Sequence, residues 1–170
     1  MQDPVRLTAT SFIVLGLLRD MGEATPYDLK QRIGVSVANF WPVPHAQLYR
    51  EPERLAAAGY VAERREEGGR RRRFYAITPR GEAALREWLD EAPSEPPELR
   101  DAGVLKLFFG ADPPAVAGRQ RPLHEAKLAE YERLHAELTR NGAPAGWLRA
   151  LEAGIAFERA AIGRWSALEG

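Results

Sequence analysis

The chain has 170 residues, 45% of them apolar, and carries 24 basic against 24 acidic side chains. That length and apolar share suffice for a buried core and argue against intrinsic disorder. The absence of cysteine excludes disulfides, cysteine-ligated zinc and thiol nucleophiles, and the balanced charge leaves any nucleic-acid argument to local clusters.

Leu7 to Arg19 is apolar on nearly every side through Leu7, Phe12, Ile13, Val14, Leu15, Leu17 and Leu18, which predicts a helix buried between neighbours. Its strongest run, Phe12 to Leu18, is far shorter than the roughly 18 residues of a membrane span. The opening Met1-Gln2-Asp3-Pro4 lacks the layout of a signal peptide, so the expectation is a soluble, cytoplasmic protein with no membrane partner. Thr25-Pro26-Tyr27-Asp28 predicts a second helix through Ile33: Thr25 can cap it, Pro26 suits its first position, and Asp28 completes a capping box.

Phe40-Trp41-Pro42-Val43-Pro44 reads as a loop, because each proline pushes its predecessor out of the helical region. A third helix is expected from His45 to Ala58, with Leu48, Leu55 and Ala56 inward and Gly59 as its stop. Pro52 falls in its middle, where it costs a backbone bond to residue 48, so a kink or break is expected near Arg50-Glu51.

Tyr60 to Arg65 and Arg72 to Ile77 are β-prone runs joined by Glu66-Glu67-Gly68-Gly69, which predicts an antiparallel hairpin. Between Glu63 and Arg80 seven arginines face three glutamates, a surplus of four. Thr78-Pro79 then opens a fourth helix through Leu85, Trp88 and Leu89.

Residues 92–98 hold three prolines and separate a first domain, 1–91, from a second, 99–170. In the second, helices are expected over Leu99 to Phe109, over Pro122 to Arg140, and after Gly142 to Gly146. On the last, Leu148, Leu151, Ile155, Ile162 and Trp165 step as an a/d seam whose missing position is Glu158. Three helices make a thin domain, so this seam is expected to pack against a second chain as a dimerisation surface. The fold class is mainly α with a small β-hairpin: a winged helix-turn-helix followed by a helical dimerisation domain.

In such a layout the second helix of the pair enters the major groove, here presenting His45, Gln47, Tyr49 and Arg50. Gln can read adenine, Arg can read guanine, and Tyr suits phosphate; the plain alternative is the solvated face of a helix. Arg70, Arg71, Arg72 and Arg73 are four consecutive cations that repel unless an anion screens them. Alternation puts Arg71 and Arg73 on one face of the ribbon, so it can offer a pair to phosphates, although a solubilising turn is the competing reading. Trp41, Trp147 and Trp165 are aromatic enough to line a pocket for a flat aromatic effector, with plain packing as the other use of such rings.

Other chemistry finds no footing. His124-Glu125 meets Leu128 where a zinc-protease motif needs its second histidine, and His45, His124 and His135 sit in unlike contexts, more in keeping with surface or DNA-proximal residues than with ligands. No carboxylate pair stands isolated among apolar residues. No catalytic residue, metal or cofactor is expected.

Leu15-Gly16-Leu17-Leu18, Tyr27-Asp28-Leu29, Gln47-Leu48-Tyr49, Arg54-Leu55-Ala56-Ala57-Ala58-Gly59-Tyr60-Val61 and Phe74-Tyr75-Ala76-Ile77-Thr78-Pro79-Arg80-Gly81 together resemble the successive signature blocks of PadR-type regulators. Pro97-Glu98-Leu99-Arg100-Asp101, Leu105-Lys106-Leu107-Phe108-Phe109 and the late Trp165 are similar to the virulence-activator type of helical C-terminal domain in the longer PadR subfamily. Pro52 departs from the pattern, which more often has an apolar residue there. The resemblance implies a homodimer on a palindromic operator in double-stranded DNA, often a repressor released by a small molecule. The alternative reading is a winged-helix protein-interaction module that never engages DNA, motivated by the neutral overall charge.

Overall fold

The structure, a computed structural model, describes residues 5–34, 36–66, 72–93, 96 and 98–169. It divides into two compact units, Met1–Glu95 and Pro96–Gly170.

The first unit is built on α1 (Ala9–Met21), which buries Val14, Leu15, Leu17 and Leu18 together with Ser11. Gly22 takes φ of +79°, turning the chain into a short strand β1 (Glu23–Ala24) that the hydrophobic pattern does not announce. Helix α2 (Pro26–Gly34) starts on the expected capping box: the Thr25 N–H donates to Asp28 Oδ2 at 2.9 Å, and the Asp28 N–H to Thr25 Oγ1 at 3.2 Å. The Thr25 side chain, then its backbone, hold the Asp28 carboxyl below its ordinary range.

A 3-10 turn, Val37–Asn39, leads to α3 (His45–Ala57). This helix runs unbroken through Pro52, contrary to the break expected at Arg50-Glu51. Pro52 lies on the buried stripe with Leu48, Glu51 and Leu55, so packing offsets the one backbone bond it lacks. Gly59, at φ +77°, ends α3 in a Schellman motif: the Tyr60 N–H donates to Leu55 O at 2.9 Å and the Gly59 N–H to Ala56 O at 3.0 Å.

Strands β2 (Val61–Arg65) and β3 (Arg73–Ile77) form the predicted antiparallel ribbon, and β1 adds to its far side to give the order β1-β3-β2. The Gly68-Gly69 tip, with Arg70 and Arg71, lies outside the described residues. Helix α4 (Pro79–Asp90) follows at once. The Thr78 hydroxyl donates to Gly59 O and Tyr60 O and accepts from the Gly81 N–H, tying the foot of the ribbon to the end of α3 and the start of α4.

In the second unit, α5 (Ala102–Phe108) is capped by Asp101, which accepts from Gly103 and Val104 N–H. Helix α6 spans Pro113–Arg140 and begins nine residues before the expected Pro122. Asp112-Pro113 supplies cap and first-turn proline, and Pro122 forfeits a single bond inside a 28-residue helix. Helix α7 (Ala145–Ser166) returns antiparallel beside it, as the pairs Arg121–Glu169, His124–Glu158 and His135–Glu152 trace.

The seam on α7 is covered by its own chain. Leu151 and Ile155 pack on Tyr131 of α6, and Trp165 is fully buried with Ala117 and Ala161. A Cβ on Gly103 of α5 would stand 2.8 Å from the Trp165 ring. Leu148 and Ile162 are half-buried. The expectation that the seam faces a second chain is corrected on this point for Leu151, Ile155 and Trp165, because heptad spacing marks a face to be covered without saying which helix covers it. Glu158, the missing position, is buried and meets His124 Nδ1 at 2.6 Å, which takes that histidine off the open surface.

Among the described residues no helix is long and apolar enough to cross a membrane. Nor does any group of three or more His, Asp or Glu side chains among them gather as metal ligands.

Candidate nucleic-acid interface

Helix α3 turns its buried stripe, Leu48, Glu51, Pro52 and Leu55, toward α1 and α2 and leaves His45, Gln47, Tyr49, Arg50 and Glu53 exposed. These five do not share one direction. Gln47 Oε1 accepts from the Thr10 hydroxyl on α1 at 3.1 Å, so its side chain leans toward α1. Tyr49 and Arg50 stand four and three residues before Glu53, and all three lie on the outward side opposite the buried stripe.

The seating of α3 on α1 is polar as well as apolar. The Ser11 hydroxyl donates to Glu51 Oε1 at 2.6 Å, and Arg54 grips the same carboxylate through Nε (3.0 Å) and Nη2 (2.6 Å). Arg54 reaches further, to Ser11 Oγ and to Arg6 O. Burial alone would push the Glu51 carboxyl up, but the hydrogen bonds from Arg54 and Ser11 and the Arg54 charge outweigh it and hold it below its ordinary value.

The ribbon register opposes Glu63 to Tyr75 and Arg65 to Arg73. Directly opposed residues share a face, so Arg65 and Arg73 lie on the face that carries the buried Val61 and Tyr75, beyond the edge of the core. There Arg73 Nη1 donates to Glu53 of α3, and its Nε is 3.8 Å from Glu63 Oε1. Arg65 Nε donates to the same Glu63 oxygen at 2.7 Å. On the opposite face Arg64 stacks over Phe74 and makes a two-point pair with Glu23 of β1, at 2.9 and 2.6 Å. Hydrogen bonds from Arg64 and Arg65 hold the Glu23 and Glu63 carboxyls below their ordinary range. The anions that the arginine repulsion called for are, for Arg64, Arg65 and Arg73, the protein's own. Arg72 is exposed, and Arg70 and Arg71 lie outside the described residues.

The sequence reading passed over Glu53 and Glu23. Glu53 was open to a helical count, standing four residues after Tyr49. Glu23 was not, because only the pairing of β1 with β3 brings it within reach of Arg64.

Within the second unit Trp147 and Trp165 do not share a pocket. Trp41 is an exposed residue of the first unit, while in the second Trp147 is half-buried and Trp165 fully buried. The latter two stand near opposite ends of α7, about 27 Å apart at 1.5 Å per residue. An open groove between α6 and α7 is lined instead by Glu132, His135, Glu152, Ile155, Ala156 and Arg159. Its polar side chains already have partners, Arg159 in an ion pair with Glu132 and His135 in a hydrogen bond with Glu152.

Comparison with known proteins accounts for both units. The profile of the transcriptional regulator PadR-like family matches residues 14–87, and that of the virulence activator alpha C-terminal domain matches residues 99–165. A curated relative, the negative transcriptional regulator PadR of Bacillus subtilis, is 30% identical over 100 residues, 58% of this chain and 54% of the relative. The alignment thus spans about half the length of that relative. Among solved structures, Bacillus subtilis PadR in complex with operator DNA is similar with a TM-score of 0.83 at 23% identity, covering 98% of each chain. The same protein in complex with p-coumaric acid gives 0.81 at 23% identity, covering 99% of this chain and 97% of that one. At those identities the structural likeness speaks for the fold, while the two profiles speak for descent: residues 14–87 form a domain of the transcriptional regulator PadR-like family, and residues 99–165 a virulence activator alpha C-terminal domain.

Proposed function

We propose that the protein is a one-component transcriptional regulator: a cytoplasmic homodimer that binds a palindromic operator through α3 and the ribbon, represses transcription, and is released by a small aromatic effector. The observation that carries this reading is the contact of Arg73 with Glu53, which makes the ribbon and the outward side of α3 one continuous surface. On that surface Tyr49 and Arg50 face outward next to Glu53, as the side chains proposed to meet base edges and phosphates. His45 and Gln47 flank the stripe. Arg70 and Arg71, which lie outside the described residues, stay in the proposal as candidates for flanking phosphates.

The kinship supports the rest. The curated relative is a negative regulator, and its crystals hold operator DNA or p-coumaric acid. Dimerisation draws support from the apolar side chains that the second unit leaves uncovered, Leu105, Phe108, Phe109, Leu123 and Phe157. The half-buried Leu148 and Ile162 stay available at its flanks. Trp41, exposed in the first unit, and Trp147, half-buried in the second, are the rings proposed to meet a flat ligand.

Selection from a pool of random duplexes, followed by anisotropy titration of the winner at about 150 mM salt, tests the proposal. An enriched motif with two-fold symmetry and half-sites about 34 Å apart is expected. A pool that stays random would sink it. That result would favour the second reading, a protein-docking module, for which the pairing of Arg64, Arg65 and Arg73 with internal carboxylates is the supporting observation.

A further inference from the structure

Glu53 is an odd residue to find on the outward side of a DNA-reading helix. It is exposed, it follows Arg50 by three positions and Tyr49 by four, and its carboxylate is bound to a ribbon arginine twenty residues along the chain. We propose that Glu53 is a specificity-determining residue that keeps Arg73 neutralised on non-cognate DNA and surrenders it only where the major groove offers the carboxylate a donor, by preference the amino group of cytosine. The inference rests on the DNA-binding reading above and adds to it the means of discrimination.

Three observations carry it. First, Arg73 is flanked by two carboxylates, Glu53 and Glu63, so it approaches a phosphate with its charge already answered. Second, Glu53 and Glu23 both come from outside the arginine-rich segment, and their pairing cuts its surplus of four positive charges to two. Third, the Arg73–Glu53 pair is exposed, 42% on one side chain and 54% on the other, and exposed pairs are weak. A phosphate can therefore displace Glu53, but a chance encounter gains little by doing so.

The physical consequence concerns counterions. A free arginine that meets a phosphate releases condensed cations from the duplex and strengthens binding at any sequence. An arginine that must first drop a carboxylate releases none net, because one anionic partner is exchanged for another. The freed carboxylate then faces the groove, where it is repelled by phosphate and acceptor edges and satisfied by the cytosine amino group. The penalty thus falls on wrong sequences and is relieved on the right one.

The test uses the full-length protein, the duplex selected above and a random duplex of equal length, titrated by anisotropy over a salt series. Glu53→Gln is expected to tighten binding to the random duplex by about 5- to 10-fold and to steepen its log–log salt slope by about 0.9, one phosphate contact. Binding to the selected duplex should not tighten, so the preference ratio falls. Adding Arg73→Ala to Glu53→Gln should cancel the gain. Unaltered affinity and slope for the random duplex would overturn the inference. So would an equal gain on both duplexes, or a gain that survives loss of Arg73, since Glu53 would then act as a general repulsive charge. If the unaltered protein bound no duplex at all, the DNA-binding reading itself would fall and this inference with it. A failure confined to the variants leaves that reading standing.

Discussion

In the first unit twelve buried apolar side chains, drawn from α1 to α4 and all three strands, close into one cluster around Leu15, Leu18, Leu29 and Leu55. The second unit divides six between two clusters, Tyr131 with Leu151 and Ile155, and Trp165 with Ala117 and Ala161, and pairs His124 of α6 with Glu158 of α7, which stands between Ile155 and Ala161 along that helix. Phe108 and Phe109 remain 82% and 77% exposed. Three helices in a layer cannot wrap a centre, whereas three helices, a sheet and a fourth helix can. In the first unit the loss of any one side chain is shared among many neighbours; in the second it falls on a cluster of three.

The sharpest way to break this contrast is Trp165→Ala. It removes the largest fully buried side chain of its cluster, against which Leu107, Val116 and Leu168 also pack, and should cost about 4 kcal/mol, lessened a little because the indole N–H is buried without a partner among the described residues. Hydrogen exchange should show α5, α6 and α7 losing protection together. Survival of that protection would mean that the second unit spreads its stability as widely as the first.

Next in size is Gly81→Ala in the first unit. A Cβ there would lie 2.2 Å from Tyr60 O and 2.8 Å from Ile77 Cγ1, with backbone on the nearer side. About 3 kcal/mol of destabilisation is expected, read as a lower urea midpoint. A near-neutral result would show the foot of the ribbon to be loosely packed.

The smallest effect comes from Glu51→Gln, which keeps the shape of the α1–α3 clasp and removes its charge. At about pH 7 it should cost about 1 to 2 kcal/mol, less than a fully buried pair because Arg54 is partly exposed. The folded Glu51 carboxyl lies below its ordinary 4.5, so its contribution is complete above that value and disappears as pH falls through the lower folded one. Unfolding curves of the two proteins should accordingly converge in acid. A gap that persisted at low pH would assign the loss to shape and not to charge.

Much of the first unit was legible in the sequence because its signals are local. Thr25 with Asp28, Gly59, and Thr78 with Pro79 each act within one turn, and each forms the cap or stop expected of it. Strand β1 was not legible, since two residues carry no period and its partner lies over fifty residues on. Pro113 and Pro122 show why α6 was read short. The same residue opens a helix when a capping aspartate precedes it and is tolerated inside one when packing holds the rest, and only the tertiary setting separates the cases. The residues of the candidate interface could be picked out by helical and strand periodicity, but their ion pairs could not. Arg64 meets Glu23 across 41 positions, and no spacing rule reaches so far. The seam on α7 was legible as a stripe and not as a contact, for periodicity does not name the helix opposite.

The Tyr60 carbonyl accepts from both the N–H and the hydroxyl of Thr78, at 3.1 and 3.0 Å, and Gly81 leaves no slack against it. The ribbon is therefore a cantilever clamped at its root. The first turn of α4, joined to that root through Thr78 and Gly81, is the element on which a bend of the strands would bear first.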